Sequence, residues 1–177
     1  MKAIKNMTNA ELAAFVQSHL QKREIKVVLS GGACVSIYSS DRYVSKDLDL
    51  VNIHFAKPRD ISAAMEEIGF QEDGQHFKHP DNEFFVEFPL GPLSVGEEPI
   101  KDIEERKLTT GVLRIISPTE CVKDRLAAYY HWNDLQCLEQ ASLVAGMNDI
   151  DLKEVERWSK VEGKIAEFRQ IRNRLYR

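Results

Sequence analysis

The stretch LSGGACVSIYSSDRYVSKDLDLV, residues 29–51, places two glycines after an apolar strand and two aspartates in the next strand. Asp47 and Asp49 alternate with Leu48 and Leu50, and successive side chains of a strand project from opposite faces. Both carboxylates therefore share one face, while the leucines project into the core. Like charges this close repel each other, and burying them without a counter-charge is costly. The pattern predicts a divalent cation between them, and Mg²⁺ prefers carboxylate oxygens.

The alternative is that both aspartates lie on a solvent-facing strand, which is the commoner explanation of an isolated D-x-D. A third carboxylate favours the metal. In EFFVEF, residues 83–88, one face of the strand carries Phe84, Val86 and Phe88. The other face carries Glu83 and Glu87 together with Phe85. If this strand pairs beside that of the aspartates, Glu87 completes a set of three carboxylate ligands. Otherwise Glu87 is an exposed glutamate on a half-solvated strand.

The glycine pair, Gly31 and Gly32, is the fourth element of the pattern. Glycine lets the backbone approach a ligand closely, and a following helix N-terminus adds a positive field suited to phosphate. The pair is neither a P-loop, which ends in G-K-S/T, nor the dinucleotide fingerprint G-x-G-x-x-G. It indicates a phosphate contact only together with the aspartates.

The first half of the chain predicts an α/β unit. Thr8 and Glu11 have capping-box spacing before a run with helical periodicity. IKVVLS and SKDLDLVNI are short strands, and RDISAAMEEIGF is a helix with Asp60 as its cap and Gly69 at its left-handed end. QHFKH and EFFVEF flank turn residues and predict a hairpin, and GVLRIIS predicts a last strand.

From Ser117 the chain is helical. Ser117, Pro118 and Glu120 are an N-cap, a first-turn proline and a third-position glutamate, which together strongly indicate a helix start. Helices are then predicted to the end, with breaks near Asn133, Gly146–Asp151 and Gly163.

The composition is that of a soluble globular protein, with 43% apolar and 29% charged residues in 177. No apolar run approaches the roughly 20 residues of a membrane span, and the N-terminus lacks a signal core, so we expect a cytoplasmic protein without membrane contact. Cys34, Cys121 and Cys137 form no C-x-x-C unit and are expected to be reduced core thiols. The net charge of −4 argues against a surface dedicated to long nucleic acids.

Two other motifs have a functional and a structural interpretation. His76 and His79 have a spacing that could bind a metal, but histidines beside a turn are more often plain loop residues. His131 and Trp132 could stack on a base. Packing of YYHW in the core is the favoured interpretation.

The combination of an apolar strand, SGGA, a short helix and SKDLDL resembles the signature of the nucleotidyltransferase superfamily, whose fold is shared with DNA polymerase beta. It is most similar to small bacterial nucleotidyltransferases of the abortive-infection toxin type, which have a later arginine and a serine before D-x-D. Arg42 and Ser45 occupy those positions. In that group the third carboxylate is commonly aspartate, whereas this chain offers Glu87. Gly32 stands where other branches have serine.

The toxin-type relatives also have a helix lysine and, about a dozen residues later, an aspartate at the head of another helix. Lys123 and Asp134 fit this pattern. An uninterrupted helix would place both on one side, because their separation is close to three turns. The alternatives are a surface lysine and an aspartate that simply caps a helix.

The resemblance implies an α/β (α+β) fold. Residues 1–116 would form the nucleotidyltransferase-like domain, a small mixed sheet flanked by helices, and residues 117–177 a C-terminal helical bundle. Two Mg²⁺ ions would be held by Asp47, Asp49 and Glu87, which are also the implied catalytic residues. The implied nucleotide-binding residues are Gly31, Gly32, Ser36, Arg42, Ser45, Lys46, Lys123 and Asp134.

The implied activity is transfer of a nucleoside monophosphate from a nucleoside triphosphate to a hydroxyl of RNA or protein. The implied partners are the nucleotide, that acceptor and an antitoxin. The alternative is a catalytically silent member that binds a nucleotide or a protein partner. The position of Glu87 distinguishes the two, because a Glu87 that points to bulk solvent favours the silent form.

Overall fold

The structure, a computed structural model, describes residues 2–176. Its α-helices are α1 Asn9–Gln21, α2 Gly32–Tyr38, α3 Pro58–Glu66, α4 Pro118–Trp132, α5 Leu135–Met147, α6 Leu152–Val161 and α7 Ile165–Ile171. Its strands are β1 Val27–Ser30, β2 Asp47–Asn52, β3 Gln71–Asp73, β4 His76–Lys78, β5 Phe85–Glu87, β6 Ser94–Val95, β7 Glu98–Pro99, β8 Ile103–Leu108 and β9 Gly111–Ile116. Short 3-10 helices lie at Ile4–Asn6 and Arg172–Leu175.

Seven strands form one mixed sheet in the order β3-β4-β5-β2-β1-β9-β8. The pairs β1–β9 and β2–β5 are parallel, and the other neighbours are antiparallel. Strands β6 and β7 form a separate small hairpin. The predicted mixed sheet, the β4–β5 hairpin and the strand at GVLRIIS are therefore confirmed. The parallel pair β2–β5 places the strands of SKDLDL and EFFVEF side by side.

Local signals fix the helix starts. Thr8 and Glu11 form the predicted capping box of α1, and the Ser117 hydroxyl accepts the backbone N–H of Glu120 at the start of α4. The predicted cap at Asp60 is wrong, because α3 begins earlier with Lys57 as its N-cap. Asp60 lies in the first turn, where a negative charge still suits the helix dipole.

One buried apolar cluster joins the sheet to the C-terminal helices. Its largest fully buried side chains include Trp158 of α6 and Phe168 of α7 as well as Leu29 and Leu48 of the sheet. The three cysteines are buried and unpaired, as expected for core thiols. Within residues 2–176, no helix has the length and apolar character that crossing a bilayer requires.

The interpretation of YYHW as core is only half right. Tyr130 is 7% exposed and stacks on Trp158, with ring centroids 5.8 Å apart. Trp132 is 77% exposed, and His131 instead contacts a carboxylate oxygen of Glu162 at 3.1 Å. Both lie in the last turn of α4 and are exposed.

Candidate metal and nucleotide site

Three carboxylates converge on one face of the sheet because of strand register. In the parallel pair β2–β5, Asp47 lies opposite Phe85 and Asp49 lies opposite Glu87. Leu48 and Val86 point to the other face and are fully buried. The condition set by the sequence pattern for Glu87 is therefore met. The three acids project together from a surface whose reverse side is core.

The backbone of Gly31 lies directly against one carboxylate of this acidic face. It has φ of +71°, a conformation that L side chains rarely adopt, and it directly follows β1. A Cβ atom at this position would lie 2.1 Å from Oδ2 of Asp49, which is closer than non-bonded atoms can approach. A side chain here would be strained by the positive φ and would displace the Asp49 carboxylate, which lies against the Gly31 backbone.

The acidic face lacks enough positive charge to balance it. Burial first, and then the neighbouring charges of Glu87 and Asp47, raise the pKa of Asp49 to about 6, whereas Arg125 of α4 acts in the opposite direction. Arg125 is itself engaged by hydrogen bonds to Asp124. A carboxyl whose charge is opposed by both desolvation and like charges is the environment in which a bound cation is most favourable.

His76 joins this face, and the interpretation of His76 as a plain loop residue is wrong. It lies in β4, which pairs antiparallel with β5, and it is directly opposite Glu87. Its Nδ1 atom is 2.6 Å from Oε1 of Glu87. One ligand atom each from Asp47, His76 and Glu87 lie within 4.8 Å of one another. His79, by contrast, lies in the turn after β4 and packs edge-on against Phe70.

No protein-family model and no curated protein sequence matches this chain. A similar solved structure is an antigenic nucleotidyltransferase-like protein from Paracoccidioides brasiliensis, with a TM-score of 0.56, 14% identity and 96% of this chain and 94% of that chain covered. The chain has the nucleotidyltransferase fold. Two structures of the antibiotic-resistance factor ANT(2'')-Ia, one in complex with adenylyl-2''-tobramycin, have TM-scores of 0.47. Their identities are 15% and 14%, with 88% of this chain and 88% and 93% of those chains covered.

Within this nucleotidyltransferase fold, Ser36 and Ser45 tie the acidic strand to α2. Ser36 is fully buried, and its hydroxyl accepts the backbone N–H of Ser45 at 2.8 Å. The Ser45 hydroxyl donates to the carbonyl of Asp47 at 3.1 Å and lies 3.2 Å from the point where Gly32 would carry a Cβ atom. The hydroxyl of Tyr43, which the sequence analysis did not single out, lies 3.5 Å from the same point. These contacts position Asp47.

Arg42 and Lys46 are exposed. Lys46 pairs with Glu83 at 2.9 Å. Arg42 lines a surface cavity of about 500 Å³ together with Arg174 and with residues of α5. Neither side chain has a hydrogen bond or ion pair to Asp47, Asp49 or Glu87 among the bonds of residues 2–176.

Lys123 and Asp134 are not brought to the acidic face. Lys123 is 3% exposed, so the surface-lysine interpretation is wrong, and its Nζ lies 3.0 Å from Glu120 and 3.2 Å from Glu154. Helix α4 ends before Asn133, which is left-handed, so the uninterrupted helix does not exist. Asp134 is the N-cap of α5 and accepts the backbone N–H of Cys137. Asp134 therefore caps a helix, which was the alternative interpretation of this residue in the sequence.

Proposed function

We propose that this protein transfers a nucleoside monophosphate from a nucleoside triphosphate to a hydroxyl in a reaction that depends on a divalent metal. The observation that carries the proposal is the convergence of Asp47, Asp49 and Glu87 on one face, against the backbone of Gly31. The fold supports it, because a nucleotidyltransferase-like protein shares that fold over most of both chains.

The donor set fits Mg²⁺. Carboxylate oxygens are the ligands that this ion prefers, and it completes its shell with substrate phosphates and water. The raised pKa of Asp49, caused first by burial and then by Glu87 and Asp47, indicates that a cation beside this carboxylate would be favourable. Two bound ions would grip the triphosphate and lower the pKa of the acceptor hydroxyl.

The residues of the chain would then each have a defined part in the proposed reaction. Asp47 and Asp49 hold the ions, while the glycine backbone at Gly31 and Gly32 leaves room for the phosphates to approach. The acceptor oxygen forms a bond to the α-phosphorus, the bond from that phosphorus to the β-phosphate oxygen breaks, and pyrophosphate leaves. Glu87 takes up the proton of the acceptor hydroxyl.

Ser36 and Ser45 are positioning residues in this scheme, because their hydroxyls form hydrogen bonds that hold the segment before β2. Lys123 and Asp134 have no part in it because their polar atoms are bonded elsewhere. The acceptor class, a hydroxyl of RNA or of a protein, and an antitoxin partner remain predictions of the toxin-type resemblance.

A catalytically silent, nucleotide-binding protein is the second candidate. One observation favours it: the ring of His76 lies 2.6 Å from Oε1 of Glu87. If its ring carried a positive charge, His76 would neutralise the third carboxylate and compete with an ion held by Glu87. Transfer would then fail although nucleotide still binds.

The proposal is tested by incubating the protein with each labelled nucleoside triphosphate, Mg²⁺ or Mn²⁺, and total cellular RNA or protein. We expect label in an acceptor with one of the four nucleotides. Asp47→Ala and Asp49→Ala should each lower the rate at least ~10²-fold, the typical cost of losing a preorganised electrostatic group. Asp60→Asn is the matched control, since this exposed acid belongs to α3 and pairs with Arg59.

Incorporation that is equal in the wild type and in both aspartate variants would overturn the proposal. Absence of label with retained binding of a triphosphate analogue would instead support the silent protein.

A further inference from the structure

His76 gives the acidic face a nitrogen donor. Its Nδ1 atom is inaccessible to solvent and has no hydrogen-bond partner within residues 2–176, although Oε1 of Glu87 is only 2.6 Å away. The contact is short but lacks hydrogen-bond geometry. A buried polar atom without a hydrogen bond is rare in proteins, and an ion held also by Asp47 and Glu87 would satisfy this one.

The neighbouring cation does not supply that partner. Lys78 shares the face of β4 with His76, but its Nζ lies 3.5 Å from Asp73 and 4.4 Å from the ring centre of Phe85. The ring of His76 is held beside the same Phe85, with centroids 5.8 Å apart. The imidazole is thus fixed against the sheet and directed to the carboxylate.

Ligand chemistry then separates the metals. Mg²⁺ takes oxygen ligands almost exclusively, whereas imidazole is a common ligand of first-row transition metals. Donor atoms on one octahedral ion with bonds of ~2.1 Å lie roughly 3 Å apart. The donor atoms of Asp47, His76 and Glu87 already lie within 4.8 Å of one another, and small side-chain rotations close the difference.

We propose that Asp47, His76 and Glu87 form a binding site for a divalent transition-metal ion. The site prefers Mn²⁺ to Mg²⁺ because His76 supplies a nitrogen ligand. The site deepens the proposed function, since it would hold one of the ions of that reaction. Its existence does not require that transfer occurs.

Metal binding is measured on the full chain without nucleotide at pH 7.5. The intensity of the electron paramagnetic resonance signal of free Mn²⁺ gives the dissociation constant, and competition with Mg²⁺ gives the preference. We expect the wild type to bind Mn²⁺ at least ~10-fold more tightly than Mg²⁺. His76→Gln should weaken Mn²⁺ binding ~10- to 100-fold, as loss of even an outer-shell partner does, and leave Mg²⁺ binding little changed.

Two further variants sharpen the result. His76→Asp replaces the nitrogen donor by oxygen and should shift the preference back toward Mg²⁺. His54→Gln makes the same change as the first variant at an exposed histidine in the loop after β2, and should leave both affinities unchanged. Spin-echo measurements on bound Mn²⁺ should show coupling to an imidazole nitrogen in the wild type and lose it in His76→Gln.

Equal or tighter Mn²⁺ binding by His76→Gln, or no nitrogen coupling in the wild type, would overturn the proposal and make His76 a counter-ion of Glu87. Circular dichroism of each variant shows that the fold is retained. Failure of nucleotidyl transfer alone would not affect this result, because the metal is measured without substrate.

Discussion

Two clusters of charged side chains in this protein differ in how their charges are balanced. The strand cluster consists of Asp47, Asp49, His76 and Glu87 on the face of β2, β5 and β4. The helix cluster joins α4 and α6 to the β6–β7 hairpin and consists of Glu98, Glu120, Lys123, Glu154 and Arg157. In the helix cluster every carboxylate has a cationic partner. In the strand cluster three carboxylates and an orphaned imidazole face each other.

The pKa values of the two clusters move in opposite directions. Hydrogen bonds from Arg157 lower the pKa of Glu154 to about 2, with Lys123 acting in the same direction. Burial and the charges of Glu87 and Asp47 raise that of Asp49 to about 6. The charges of the helix cluster are balanced by its own cations, although Oε2 of Glu120 has no hydrogen bond within residues 2–176, whereas the buried charge of Asp49 in the strand cluster is costly until something positive binds. Charge imbalance, rather than the number of charges, therefore marks the candidate site.

The largest expected effect comes from breaking the helix cluster. Lys123→Met should lower the free energy of unfolding by about 3–5 kcal/mol, because it leaves Glu120 buried without its partner. Urea denaturation measures this loss. The double variant Lys123→Met/Glu120→Gln should recover part of it, since the uncompensated charge is then removed. If Lys123→Met is instead stable but binds nucleotide more weakly, the result would support the nucleotide contact of Lys123 that the resemblance implies.

The substitution Gly31→Ala tests the strand cluster through the backbone that lies against Asp49. The added Cβ collides with the Asp49 carboxylate, so we expect transfer to fall by about 10²-fold, the scale of losing one preorganised group. Gly163→Ala is the matched control, since Gly163 has the same φ of +71° and nothing within 4 Å of the added atom. Both variants should lose about 1–2 kcal/mol of stability through backbone strain. Equal activity in the two would contradict the assigned role of Gly31.

The contrast between the clusters also shows what sequence can predict. The alternation in DLDL and FFVEF was enough to place Asp49 and Glu87 on polar faces, and the capping signals of Thr8 and Ser117 fixed two helix starts. These are local patterns. The pairing of β2 with β5 turned them into a cluster, and the sequence could state that pairing only as a condition.

What sequence missed depends on register and on distant partners. His76 lies opposite Glu87 only because the β4–β5 hairpin has one particular register, which the turn residues alone do not specify. Its alternation with Phe77 in HFKH was the one available signal. Lys123 could not be assigned because its partner Glu154 is 31 positions away, on another helix.

Asp49→Asn should make the metal-free protein more stable at neutral pH. The pKa of Asp49 is raised in the folded state, to about 6, so the stability contributed by its protonation is present below about pH 4 and is lost as pH rises through 6. The uncharged amide removes this loss. We expect a gain of about 1–2 kcal/mol above pH 7, less than the full shift implies because the carboxylate is partly solvated.

Denaturation curves of both proteins from pH 4 to 8 measure the effect, and their difference should grow from about pH 4 and level off above about pH 7. Added Mn²⁺ should stabilise both proteins, since the proposed ligands Asp47, His76 and Glu87 are present in each, and should stabilise the wild type more, since its Asp49 carboxylate can hold a further ion. A difference that is constant across this pH range would show that the Asp49 carboxylate is not the group that titrates.

The smallest effect is expected at the rim of the helix cluster. Arg157 and Lys123 share the partner Glu154, but the Arg157 side chain is 48% exposed and that of Lys123 only 3%. Because solvent screens exposed ion pairs, Arg157→Gln should shift the urea midpoint far less than Lys123→Met does. The pKa of Glu154, measured by NMR titration, should nevertheless rise, since hydrogen bonds from Arg157 are the main cause of its low value. A loss of stability as large as that of Lys123→Met would mean that pairing, rather than burial, makes this cluster important to the fold.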